Sequence, residues 1–271
     1  MELVDKRRMC PQCRAMITTD DKVCPYCQAQ VGARAIDVRS PDNLMGGLMP
    51  ANRFVTSLLL LVNAAIFLTI YVSSNKDFLT SGYKDGRAIL YAGEWWRLIT
   101  AGYLHANLLH IGMNAWAIFD MGAFVEDLIG AKRMFTVYTV ATVCGFLLSS
   151  WWNPVIPSLG ASAGAFGLIG ALIAYGVNSR SMQGDAIKRY YIESAVFGIV
   201  VGLIGIFPID NAAHLGGLVG GFLTAWVAGE ARLVNDWKEK VWTVGAALSL
   251  ILTLAAFVRM YLRFLEISAG K

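Results

Sequence analysis

Charge is the scarcest commodity in this sequence. Only 15% of its 271 residues are Asp, Glu, Lys or Arg, while 56% are hydrophobic. Soluble globular domains carry about a quarter charged residues, so this balance excludes an ordinary soluble domain and points to the bilayer as the main solvent. Histidine occurs three times and cysteine five times. No HExxH is present, so the paired ligands of a zinc metalloprotease helix are missing. The first 53 residues contain no apolar run, and no cleavable signal peptide is expected there.

A membrane-crossing helix needs about 20 predominantly apolar residues. Seven stretches meet or approach this: residues 54–72, 105–124, 135–152, 161–177, 190–207, 212–228 and 241–261. With the N-terminus in the cytoplasm, the inside segments hold 16 of the 23 Lys and Arg residues. The long first loop then holds four, the next two outer loops none, and the C-terminus three. The positive-inside rule therefore predicts N-terminus inside and C-terminus outside. The basic residues are scattered among short loops, which argues against a nucleic-acid surface.

Cys10-Pro-Gln-Cys13 and Cys24-Pro-Tyr-Cys27 form two CxxC pairs ten residues apart. Each pair can turn two thiolates toward one ion, and together they close a tetrahedral four-cysteine site. A segment this short cannot bury enough surface to fold alone, so metal supplies the missing stability. A zinc ribbon is expected over residues 1–31, on the reducing cytoplasmic side where disulfides are disfavoured. Residues 32–53, with Gly32, Pro41, Gly46, Gly47 and Pro50, read as a linker. Cys144 reads as a small buried apolar residue.

Polar side chains inside a membrane are costly and mark function. All three histidines fall in or at spans: His105 and His110 in the second, His214 in the sixth. A backbone carbonyl can satisfy any one of them without functional meaning. On one continuous helix, His110 and Asn114 share a face, whereas His105 and His110 point about 140° apart. Ser162 follows the uncharged loop 153–159 and opens the fourth span, where free amides and the helix dipole favour developing negative charge. His214 opens the sixth span, so serine and histidine lie at matching depth near the outer surface, as a nucleophile and its base must. Gly160, Gly164 and Gly167 recur in span four, and Gly217 and Gly221 in span six. Such small-residue repeats allow close helix approach in lipid and would bring the two groups within reach.

From residue 54 to 228 the sequence resembles the rhomboid intramembrane proteases. Trp96-Arg97 is similar to the Trp-Arg motif of the family's first loop, and His105-x4-His110-x3-Asn114 to the set in its second span. Gly160-x-Ser162 resembles the GxSG nucleophile motif, and Ala213-His214-x2-Gly217-x3-Gly221 resembles AHxxGxxxG. The resemblance implies an all-α membrane protein with a six-helix catalytic core, residues 54–228. A loop and a seventh transmembrane helix over 229–271 would be added. It further implies Ser162 as nucleophile and His214 as general base, with no cofactor for catalysis. His110, Asn114 and the Ser162 amide would form an oxyanion hole, with Phe166 packed on the His214 ring and His105 and Gly160 in support. Glu126 resembles a structural carboxylate of the family.

Ala163 stands where the family pattern usually has glycine, and its extra methyl is expected either to tighten the substrate cleft or to alter backbone freedom, bearing on specificity more than on chemistry. Asp210, four residues before His214, invites a triad reading, but residues 208–211 are expected to form a mobile, wet loop. The expected activity is serine endopeptidase cleavage of transmembrane segments of other membrane proteins, in a bacterial cell membrane. The ribbon would recruit a cytoplasmic protein partner. The competing reading is a catalytically silent relative that binds or chaperones membrane clients.

Overall fold

The computed structural model describes residues 7–10, 12–13, 15–18, 21–31, 53–179, 181–205, 207–228 and 237–270. The chain divides into two compact units, residues 1–51 and 52–271. The linker expected at 32–53 lies almost wholly outside the described residues.

In the first unit, strands β1 (Arg7–Met9) and β2 (Met16–Thr18) pair antiparallel, with Met9 opposite Met16. Each CxxC follows the same local plan. The Cys10 amide donates to the Ala15 carbonyl at 2.8 Å, and the Cys24 amide to the Ala29 carbonyl at 2.9 Å. Two like knuckles thus face each other across a core of Cys10, Ile17, Cys24 and Val31.

The second unit is helical. Helix α1 (Phe54–Ser73) leads into a folded segment holding three short helices, α2 (Lys76–Thr80), α3 (Gly86–Tyr91) and α4 (Arg97–Thr100). Helix α5 (Leu108–Ala117) passes through a π-helical stretch (Ile118–Gly122) into α6 (Ala123–Ile129). The long helices α7 (Ala131–Trp152), α8 (Ser162–Ser179), α9 (Met182–Ile204), α10 (Asn211–Ala228) and α11 (Trp237–Ser268) complete the unit. Every expected span is a helix. Among the described residues, five helices are long and apolar enough to cross a membrane: Phe54–Ser73, Leu108–Ile129, Ala131–Trp152, Ser162–Ser179 and Glu239–Ser268. The fall-off in α9 and α10 is chemical: α9 opens with Asp185, Lys188 and Arg189, and α10 is rich in glycine and carries His214.

The second span starts later than expected. Asn107 Oδ1 accepts from the His110 amide at 2.9 Å and caps α5, so His105 precedes the helix. The 140° separation inferred for a continuous helix does not apply, and the His105 and His110 rings meet edge to face at 5.1 Å.

Helix α8 is the hub, with 67% of its apolar window buried against 17% for α11. Glycines set its distance to α10. A Cβ on Gly170 would lie 2.7 Å from the Phe222 nitrogen, and one on Gly221 2.6 Å from the Gly167 carbonyl carbon. Gly164 faces the other way, against the Tyr138 ring of α7. Backbones this close gain dispersion contacts that lipid cannot match.

Long-range polar contacts define two ends of the bundle. At one, Glu126 is 4% exposed and accepts from the Val55 and Thr56 amides and the Thr56 hydroxyl at 2.8–2.9 Å. It thereby satisfies the free amides that open α1, a structural role as expected. At this end of the bundle, Arg133 at the start of α7 forms a bidentate pair with Glu239 at the start of α11 and also donates to the carbonyl of Ala228, the last residue of α10. At the opposite end, Arg97 donates to the Thr80 and Tyr83 carbonyls at 2.8 Å and pairs with Glu94. Arg263, late in α11, pairs with Glu94 at 3.3 Å, and Arg259 lies over the Trp96 ring. The end of α11 and the segment between α1 and α5 therefore share one end of the bundle. Exposed Tyr91, Trp95, Trp151 and Trp152 surround that end, as aromatic side chains do at a membrane–water boundary.

Candidate active site

The loop entering α8 is fixed before the helix begins. Gly160 has φ of 125°, a region that L side chains rarely adopt. Its amide donates to the Ala101 carbonyl at 2.9 Å, and the Ala161 amide reaches His105 Nε2 at 3.4 Å. A Cβ on Gly160 would lie 2.5 Å from His110 Nε2 and 3.7 Å from Asn114 Nδ2. Glycine is therefore required twice over, by conformation and by the ring against it. This turn delivers Ser162, partly exposed, as the first residue of α8.

His214, in the first turn of α10, is buried. Its ring stacks on Phe166, with centroids 3.9 Å apart and planes 16° from parallel. Phe166 lies one helical turn beyond Ser162, so the stack holds the imidazole against the stretch of α8 that carries the serine. The backbones touch one residue further on. A Cβ on Gly217 would lie 2.9 Å from the Ala163 carbonyl carbon and closer still to its oxygen. Among the described residues no hydrogen bond joins Ser162 to His214. Nucleophile–base contacts are often loose without substrate.

His110 and Asn114 sit on the other side of the Gly160 turn. One amide hydrogen of Asn114 goes to the His110 carbonyl at 2.9 Å, and the second remains free to serve another acceptor. Ser162, His214, Phe166, His110, Asn114, His105 and Gly160 thus converge at one end of the bundle.

Two expectations are corrected here. Asp210 is anchored rather than mobile: its carboxylate accepts from the Ser149 hydroxyl and from the Ala213 amide, capping α10. With both oxygens engaged and His214 Nδ1 without a partner, Asp210 is a helix cap and not an orienting acid. Ala163 does not line a cleft. Its methyl is fully buried with Ala101, Phe146 and Ala213, and it fits because Gly145 on α7 has no side chain to oppose it.

Sequence reasoning missed Lys84, which it counted only as one of four loop charges. Lys84 is 1% exposed, and its Nζ donates to the Asn153 and Ile156 carbonyls at 2.7 and 2.9 Å. Burial holds this ammonium below the usual lysine range, against the opposing pull of Asp210 and Asp85. No pattern of spacing distinguishes it from a solvated lysine.

The rhomboid-domain family model matches residues 92–231, just over half of the chain, including every residue of this constellation. The chain belongs to the rhomboid family. It is 33% identical over 157 residues to rhomboid protease GluP of Bacillus subtilis (strain 168), covering 58% of this chain and 31% of that protein. It is 29% identical over 178 residues to the putative rhomboid protease YdcA of the same organism, covering 64% of this chain and 87% of that one. The inactive RHOMBOID-like protein 8 of Arabidopsis thaliana is 31% identical over 134 residues, 49% of this chain and 38% of that protein. The chain thus spans 31% of GluP and 38% of RHOMBOID-like protein 8, and most of YdcA. With its long apolar helices, this rhomboid is a multi-pass membrane protein.

In the N-terminal unit the four cysteine sulfurs lie within 4.8 Å of one another, with Cys10–Cys27 at 3.8 Å and Cys13–Cys24 at 3.6 Å. Four thiolates at zinc–sulfur distances of about 2.3 Å in a tetrahedron stand about 3.8 Å apart. The cluster fits a metal ion of that size. Without an ion the clustered thiols shift in opposite directions: the Cys13 amide on its sulfur holds Cys10 low, whereas burial and the neighbouring thiols push Cys27 up to about 12.

Proposed function

We propose that this rhomboid is an intramembrane serine endopeptidase that cleaves transmembrane segments of other membrane proteins. The observation that carries the reading is the His214 ring stacked on Phe166, one turn from Ser162 at the N-terminus of α8. His214 Nε2 takes the Ser162 hydroxyl proton as the oxygen attacks the scissile carbonyl. The oxyanion is stabilised by the Ser162 amide, the free Asn114 amide hydrogen and His110, grouped around the Gly160 turn. The proton passes to the departing amine, and water hydrolyses the acyl-enzyme with His214 again as base. No acid is needed to orient the ring, because Phe166 and the α8–α10 contact hold it.

The site lies at the outer end of the bundle, with the N-terminus cytoplasmic and the C-terminus outside, in a bacterial cell membrane; the distribution of Lys and Arg supports this orientation. The four cysteines hold a structural zinc ion and take no part in hydrolysis. The ribbon engages a cytoplasmic protein partner or substrate.

Reconstitution into liposomes with a single-span reporter substrate tests the reading. Cleavage is expected from the native chain and not from Ser162→Ala, and the Ser162→Ala/His214→Ala double variant should be hardly worse than either single one. A second reading is a silent relative that binds membrane clients. It is favoured by the absence of a Ser162–His214 hydrogen bond and by the inactive protein among the relatives. Binding of the reporter without turnover by the native chain would establish it.

A further inference from the structure

The loop that delivers the serine is fastened at both ends to the segment between α1 and α5. At its far end are the Gly160 and Ala161 bonds to Ala101 and His105. Towards its near end, its contacts with that segment run through Lys84 and Gly86. The Lys84 amide donates to the Ser158 carbonyl at 2.8 Å, and the Ser158 amide donates back at 3.1 Å. The Lys84 ammonium bridges the Asn153 and Ile156 carbonyls, closing the turn between them. Gly86 lies so close to Pro154 that a Cβ would approach its Cα to 2.5 Å.

An ammonium buried this deeply normally finds a carboxylate, because desolvation is otherwise uncompensated. Here no carboxylate lies within ion-pair distance among the described residues, and two main-chain carbonyls of a single loop take the charge-assisted bonds. Val155 and Ile156, the apolar tip of that loop, are exposed. The loop contains no helix or strand of its own, so its internal shape depends on these bonds.

We propose that Lys84 is a positioning residue for the reaction: its ammonium clips residues 153–158 so that Gly160 and Ser162 are presented to His110, Asn114 and His214 in register. This rests on the serine-protease reading. Lys84 is too buried beneath the loop to be a substrate-binding charge, and it touches none of the proposed reacting groups. Its effect passes through the backbone of the 158–161 turn. Displacement of a nucleophile by about 1 Å is enough to cost on the order of 100-fold in rate.

The test compares the native chain with Lys84→Met, which keeps the stem and removes the donors, and Lys84→Arg, which restores a charged donor. Three readouts are needed: kcat and KM on the reporter substrate, the rate of Ser162 labelling by a fluorophosphonate, and amide hydrogen exchange over residues 153–162. Lys84→Met is expected to lower kcat and serine labelling in parallel by about 10–100-fold. KM should stay within about twofold, with faster exchange confined to the loop; Lys84→Arg should recover much of the loss. Should Lys84→Met fail to fold, Lys84→Gln, with a shorter uncharged donor, should show the same pattern at smaller amplitude. Native kcat, labelling and exchange in Lys84→Met would overturn the proposal, as would uniform loosening of all helices. A native chain that neither cleaves nor labels would overturn the protease reading instead, and loop exchange in Lys84→Met would still report on the clip.

Discussion

Replacing Gly217 with alanine adds one methyl group at the point where α8 and α10 touch. That Cβ would sit 2.9 Å from the Ala163 carbonyl carbon and 3.2 Å from its Cα. Favourable carbon–carbon separations begin near about 3.5 Å, and the atoms in the way are main chain, which cannot swing aside. The two helices must therefore part by about 1 Å. Overpacking of this kind costs about 1–3 kcal/mol of stability. Because Ala163 adjoins Ser162 and Gly217 lies one turn from His214, the same displacement should lower cleavage by about 100-fold. Gly112 of α5 supplies the control, since a Cβ there meets nothing within 4 Å. Gly112→Ala should leave cleavage unchanged and gain up to about 1 kcal/mol of helix propensity. Unfolding in detergent and reporter cleavage, measured on both variants, give opposite expected signs for one chemical change. If Gly217→Ala behaves like Gly112→Ala, the close α8–α10 contact is not what aligns the site.

Asn114→Ala and His110→Ala should each reduce kcat by about 10–1000-fold with little change in KM, as loss of one oxyanion donor does; a change in KM alone would make them binding or packing groups. The purified chain should carry one zinc ion per molecule by elemental analysis, lost on Cys10→Ser or with a strong chelator. Deletion of residues 1–40 should remove the metal and spare cleavage of a short reporter, whereas chelation that stops cleavage would give the metal a part in the core. Glu126→Ala strands the amides of Val55 and Thr56 at the start of α1 and should cost about 3 kcal/mol in unfolding, while activity per folded molecule stays near native.

Much of this architecture was legible because lipid imposes a strict demand. A chain crossing hydrocarbon must satisfy its backbone internally over about 20 residues, so apolar length located the long helices, five of which among the described residues are apolar enough to cross a membrane. Counting spans put Ser162 and His214 at one depth, and glycine spacing in α8 and α10 pointed to the close helix approach seen between Gly217 and Ala163. The start of α5 was misplaced, although Asn107 ahead of an apolar run is a capping signal that could have located it. The inward direction of Ala163 was not legible, because α8 is buried on nearly every side and its apolar pattern carries no phase. Nor was the role of Asp210: a carboxylate four residues before a histidine fits a triad or a helix cap equally well until the Ser149 hydroxyl is seen upon it. Lys84 left no trace at all, since its partners are main-chain carbonyls contributed by a loop some seventy residues away.

The most direct test of the central claim is covalent trapping. The chain, reconstituted in liposomes, is treated with a fluorophosphonate and the adduct is mapped by peptide mass spectrometry. A serine activated by His214 predicts a single stoichiometric adduct on Ser162, lost in Ser162→Ala and suppressed by orders of magnitude in His214→Ala. An adduct on another residue, or labelling of Ser162 that persists undiminished in His214→Ala, would contradict it.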